Sequence, residues 1–272
     1  PPHHNTSTPS SAASDVYKRQ ILEDAFNHWL GRVCVHSRWC YPENVAWVGP
    51  RFGANMILDR SIDEALSEAE LNQLAAIGPS MYEGFGKNVC AYNGVSEDQA
   101  EVVQADFQKL LDALAIHFAD NEFLLGDRPC LADFALAGAS KAHFVCDPTP
   151  ISWLGKHRDM LFNYTQQFFT DWQQAPAPWP ENDEVPETLA AVLDYLQGTY
   201  FKFAPANIAA GLAGEKYYEY DYGYGPTRAR TQRRLNVARL HVQDELQQVN
   251  AASNAAIQDR YAGRGILEHY LV

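Results

Sequence analysis

The stretch from Ser96 to Phe118, SEDQAEVVQADFQKLLDALAIHF, constrains the fold more than any other part of the chain. Its apolar residues Val103, Phe107, Leu110, Leu111, Leu114 and Phe118 recur by steps of four, three, one, three and four. That spacing gathers them on one stripe of an α-helix with a polar far side, and such a stripe has to be buried against other helices. The neighbouring segments obey the same period. Ile21, Leu22, Ala25, Phe26, Trp29, Leu30 and Val33 share one face, with Glu23 and Asp24 near the first turn, where carboxylates suit the helix dipole. Pro42 is placed to open a second helix as its first residue. Ser67 with Glu70, and Ser96 with Gln99, have the spacing of capping boxes. From Leu131 onward the sequence is apolar nearly all round, which predicts a helix at the centre of a bundle, ended by DPTP at Asp147–Pro150.

Further helices are expected over HRDMLFNYTQQFFTDW, ETLAAVLDYLQGTYF and RLNVARLHVQDELQQVNAA. A Pro-rich acidic break, QAPAPWPENDEVP, separates the first of these from the second. No run of alternating β-branched residues lies between turn signals, so the chain reads as all-α, and no internal repeat is evident. KYYEYDYGYG is expected to be a surface loop. Its tyrosines 217, 218, 220, 222 and 224 could stack on ligands, but a solvated loop explains them more simply. Arg228, Arg230, Arg233, Arg234 and Arg239 read as one solvated helix face.

Residues 1–20 are set apart. They are Ser/Thr-rich and carry no apolar period. DVYKRQ, at Asp15–Gln20, is spelled by codons that resemble a transposon end used to build sequencing libraries. The stretch is therefore read as an adaptor-derived or disordered leader, with the folded part starting at Ile21. The net charge of −13 repels phosphate backbones and anionic bilayers, which argues against nucleic acid and membrane as partners. Five scattered cysteines suggest reduced thiols in a cytoplasmic setting. Cys34, His36 and Cys40 resemble metal ligands only superficially. On a helix positions 34 and 40 point about 240° apart, and no Cys-x-x-Cys is present, so no metal is expected.

FLLGDRPCLADFALAG resembles the central segment of the glutathione S-transferase C-terminal domain, through Gly126, Asp127, Pro129, Leu131, Ala132 and Asp133. There a Ser caps the buried central helix, and an Asp three residues on returns the hydrogen bond. Cys130 stands where the family usually has Ser or Thr. A thiol accepts weakly, so the box should lose about 1 kcal/mol, while Asp133 can still cap the Cys130 N–H. His143, Asp147, Pro148 and Pro150 resemble the end of the same helix in large members of the family. Leu22, Glu23, Asp24, Trp29, Arg38 and Trp39 resemble its first helix.

The resemblance implies a glutathione S-transferase C-terminal-type helical bundle over residues 21–175, with a helical C-terminal extension over 176–272. It also implies glutathione as co-substrate, bound mainly by a thioredoxin-like domain that is missing from this sequence and that would supply the activating Tyr, Ser or Cys. No catalytic residue can then be carried over. The helical part would wall the site for a small apolar electrophile and allow a homodimer. By the same resemblance Trp29, His36, Arg38, Trp39 and Tyr41 would line the acceptor site, with weaker cases for His143 and Tyr164. Each also has a plainer role. Trp29 suits core packing, Arg38 and Trp39 could stack to fix a helix end, His143 with Asp147 forms an i, i+4 pair, and Asp133 is structural. Two functions follow: a transferase domain inactive by itself, or a non-catalytic interaction module on the same fold. An apolar face within residues 21–60 is expected to stay open for the missing domain.

Overall fold

A computed structural model describes residues 10–62, 64–170, 185–221, 225–247, 255, 258–261 and 263–271. Among the described residues the fold is all-α but for one hairpin. Helix α1 spans Ser10–Trp39, and α2 spans Pro42–Leu58 with Pro42 in its first turn. Short helices α3 (Glu68–Leu74), α4 (Ile77–Met81) and α5 (Lys87–Asn93) follow, the last two joined through a π turn, Tyr82–Gly86. Then come α6 (Ala100–Phe118), α7 (Leu131–Ala139), α8 (Pro148–Trp153) and α9 (Arg158–Gln166). Helices α10 (Leu189–Gly198) and α11 (Tyr200–Leu212) lead to strands β1 (Tyr217–Tyr220) and β2 (Thr227–Arg230), and α12 (Arg234–Gln247) and α13 (Ile266–Leu271) complete the order.

The predicted stripes form the core. All seven apolar residues between Ile21 and Val33 are buried, as are Val103, Phe107, Leu110, Leu111 and Leu114, with Phe118 half-buried against them. Helix α1 is the common strut. It packs most extensively on α7 and also touches α2, α5, α6, α11 and α12. The first helix begins earlier than expected. It runs back to Ser10, and Lys18 is buried, so the stretch read as a leader is helical from residue 10 onward. Residues 1–9 lie outside the described residues. Within 21–60 the exposed large apolar side chains are at the end of α2, Met56 at 75%, Ile57 at 65% and Leu58 beside them, while the apolar stripe of α1 is covered by the chain itself.

Local chemistry explains the helix ends. Tyr41, before Pro42, is extended, as a residue preceding proline prefers. Ser67 and Glu70 form their box: the Ser67 N–H donates to Glu70 at 2.8 Å and the Glu70 N–H to the Ser67 hydroxyl at 3.3 Å. The predicted Ser96–Gln99 box does not form. A 3-10 turn, Glu97–Gln99, intervenes before α6, and the Ser96 hydroxyl donates to Asp98 instead. Helices α2 and α4 cross in near contact. A Cβ on Gly49 would lie 2.1 Å from the Gly78 Cα, so this crossing needs glycine.

Two further expectations are corrected. Helix α7 is central on one side only: Leu131 (47%) and Phe134 (49%) remain exposed, because α1 covers the opposite face and α9 only part of the rest. KYYEYDYGYG is not a loop throughout. Tyr217–Tyr220 pairs antiparallel with Thr227–Arg230, Tyr218 facing Ala229. Tyr218 and Tyr220 are buried, whereas Tyr217 and Glu219 point outward, the period-2 alternation of a strand. Tyr222 and Tyr224 lie outside the described residues. The five arginines do not share a helix face. Arg228 and Arg230 project from β2, with Arg228 stacked 4.2 Å over the Tyr217 ring, and Arg234 and Arg239 belong to α12. The break around Gln174–Glu184, the end of the helix expected to reach Trp172, and residues 248–252 also lie outside the described residues.

Candidate functional site

Residues at the corner between α1 and α2 meet the π turn and α5 to form a second, smaller core, separate from the main one. Trp39 anchors it. Its indole stacks on Phe52 at 6.5 Å and meets the edge of Phe85 at 5.8 Å. Gly86 lets the π turn sit directly on that indole, since a Cβ there would come within 2.8 Å of it. Two openings flank this core. One is a groove of about 320 Å³ lined by Trp39, Pro42, Val45, Ala75, Pro79 and Tyr82. The other, about 920 Å³, lies between α5, the Gly94–Gln99 segment and the start of β2. Cys40, Tyr82 and Glu97 border both. The Tyr82 hydroxyl donates to Glu97 at 3.2 Å, and burial is the first reason its pKa rises.

The five residues expected to line an acceptor site do not converge on one cavity. Trp29 is in the main core, where its indole N–H donates to the Tyr195 hydroxyl at 2.8 Å, and Tyr195 in turn donates to Asp106 at 2.9 Å. His36 is fully buried and its Nε2 donates to the Ser96 carbonyl at 3.0 Å. Burial holds this imidazole neutral, with its pKa lowered to about 4. Arg38 makes two hydrogen bonds, each 2.9 Å, to the Asp147 carboxylate and a third to the Ala142 carbonyl. The planar guanidinium thus ties the end of α1 to the start of α8. Tyr41 is half-buried, edge-on to both His36 and Trp153, and burial raises its pKa to about 12. Only Trp39 reaches the groove, while His36, Arg38 and Tyr41 hold the corner that carries it.

The weaker candidates are also accounted for. His143 lies 3.6 Å from Asp147, the carboxylate that Arg38 holds. Tyr164 is buried and donates to Asp133 at 2.9 Å. Asp133 is a hub. It also accepts the Cys130 N–H at 2.9 Å, the Cys130 thiol at 3.0 Å and the Leu124 N–H at 2.8 Å. Both halves of the box are present with a thiol in place of the hydroxyl. Cys34 sits in the main core and Cys40 in the smaller one, and among the described residues no cluster of metal-ligating side chains occurs. No described helix is long and apolar enough to cross a membrane.

Cys90, Tyr82 and Pro79 were not singled out by sequence reasoning. Each joins the site through contacts between segments far apart in the chain, which no local spacing encodes. Gly86 was the one legible hint, a small residue beside aromatic Tyr82 and Phe85 in an otherwise helical run.

Comparison with curated proteins and with solved structures gives no match. Residues 88–170 match the family model described as Glutathione S-transferase, C-terminal domain. The matched segment runs from α5 through α9 and contains Cys90, the α6 stripe, the Cys130–Asp133 box and Asp147. Residues 88–170 are thus similar to a glutathione S-transferase C-terminal domain, and the matched segment folds as the helices α5–α9.

Proposed function

We propose that this chain is the helical electrophile-site part of a glutathione S-transferase-like protein that conjugates glutathione to a small apolar electrophile, or reduces one with it. The observation that carries the reading is the family match over residues 88–170. The groove beside Trp39 supports it. Its volume suits a small ligand, and its wall of indole, proline rings and a tyrosine suits an apolar one. The chemistry needs a thiolate, because a neutral thiol is a poor nucleophile. A thioredoxin-like domain would bind glutathione and supply the group that lowers its pKa. The residues of this chain would hold and orient the acceptor. Trp39 and Tyr82 stack on it and exclude water, Arg38 with Asp147 fixes the corner beneath, and His36 and Tyr41 position that corner from inside.

Titration with dinitrobenzene, an unreactive apolar acceptor analogue, tests the groove. Binding should be measurable by calorimetry and be weakened at least tenfold by Ala46→Phe, which fills the groove from the exposed side of α2. Conjugation of a chloronitrobenzene with glutathione should proceed at the buffer rate with this chain alone. It should exceed that rate when a glutathione-binding thioredoxin-like domain is joined ahead of it. Conjugation by the chain alone would refute the division of labour. If the folded chain binds no apolar ligand, the interaction-module reading takes its place, and exposed Met56, Ile57 and Leu58 are the surface that favours it.

A further inference from the structure

The buried sulfurs of Cys40 and Cys90 lie 3.8 Å apart although 50 positions separate the residues in the chain. Cys40 follows the last turn of α1, and Cys90 is on α5. Their approach depends on Gly86, which lets the helical run carrying Cys90 press against Trp39. The pair borders the larger cavity, so a small solute can reach sulfurs that are otherwise packed among side chains. The remaining cysteines are placed differently. Cys34 and Cys130 are in the main core, where burial pushes both thiols up, and Cys146 is half-buried elsewhere.

We propose that Cys40 and Cys90 form a reversible dithiol–disulfide site, oxidised by a peroxide that enters the larger cavity. Either sulfur can donate the hydrogen bond they share, and both border the cavity, so either can serve as the attacking thiolate. That thiolate attacks one peroxide oxygen and the O–O bond breaks. It becomes a sulfenic acid, and the departing oxygen takes a proton to leave as an alcohol, or as water from hydrogen peroxide. The second sulfur of the pair then attacks the oxidised one. The S–O bond breaks, and the oxygen carries off the second thiol's proton as water. Two thiols lose two electrons in all and one peroxide gains them. A small thiol reverses the step by exchange. Forming the bond requires the sulfurs to close to about 2 Å. That shift would fall on α5, a short helix set between the π turn and the Gly94 bend.

The test uses the whole chain, reduced, freed of reductant and treated with stoichiometric hydrogen peroxide. Thiol counting after denaturation should fall from five to three, and non-reduced peptide mapping should find Cys40 joined to Cys90. The oxidised chain should melt higher by roughly 5 °C or more, since the cross-link closes a long loop. Dithiothreitol should restore five thiols. Cys40→Ser and Cys90→Ser should each give no cross-link and should leave the remaining cysteine of the pair labelled by dimedone. If Cys40 and Cys90 remain fully alkylatable once Cys146 is oxidised, or if they pair indiscriminately with the other cysteines, the proposal fails. The peptide map of the unaltered chain decides this even where a variant does not fold. None of these readouts depends on transferase activity.

Discussion

The polar residues of the interior carry opposite pH signatures. His36 is neutral in the fold with its pKa lowered to about 4 by burial, and the unfolded value is about 6.5. The unfolded chain therefore binds more protons between those values. The stability His36 contributes is complete above pH 6.5 and lost as pH falls toward 4. His269, lowered to about 4 by burial, acts in the same direction. Asp106 acts the other way. Burial pushes its carboxyl up to about 6, so its contribution is complete below about pH 4 and lost as pH rises through 6. Urea unfolding against pH should show stability falling from pH 6.5 to 4, and His36→Gln should flatten that fall. Asp106→Asn keeps an acceptor for the Tyr195 hydroxyl and removes the buried charge. It should raise stability at pH 7 by on the order of 1–2 kcal/mol, and a loss there would contradict the assignment.

Helix stripes were legible in the sequence because a period of 3.6 residues is written locally. Phe107, Leu110, Leu111 and Leu114 are buried as their spacing requires. The hairpin is not legible as a run of β-branched residues, since Thr227 is the only one in its two strands. Its inward series is Tyr218 and Tyr220 on one strand and Thr227 and Ala229 on the other, against outward Tyr217, Glu219, Arg228 and Arg230, so the period of two is carried by other side chains. The Ser96 box failed because a 3-10 turn changes which groups face each other, something residue identity alone does not settle. Of the candidate site, Trp39 was legible by resemblance. The Cys40–Cys90 contact was not, because it depends on how two helices meet. At this scale the crossing of α2 and α4 is the sharpest test. Gly49→Ala would drive a methyl group into the Gly78 backbone and should cost about 2 kcal/mol or more. Asp133→Ala removes the acceptor for four hydrogen bonds at the start of α7. It should cost on the order of 3 kcal/mol. Both losses can be read from the denaturation midpoint at unchanged slope.

For the molecule as a whole, the C-terminal extension is part of the same core. Leu189, Val192, Leu196, Phe203, Ile266 and Tyr270 belong to one buried cluster with Trp29 and Phe107. The Tyr200 and Tyr270 hydroxyls both donate to Asp24 of α1 at 2.7 Å. A chain cut after residue 175 would expose that side of α1 and leave Asp24 buried among fewer partners. It should lose its cooperative melting transition and bind an apolar dye, while the full chain melts as one unit.

The π turn at Tyr82–Gly86 also sets the phase of the helix that follows it. Such a turn holds one residue more than regular α-helical winding, so it works as an insertion that rotates everything downstream by about 100°. Deleting Gly84, whose missing side chain would meet no neighbour within 4 Å, would leave a continuous helix. The same deletion would swing Cys90 around the helix axis and away from Cys40. A change that makes the secondary structure more regular would thus dismantle the thiol pair, and an irregular turn is what aims one sulfur at the other.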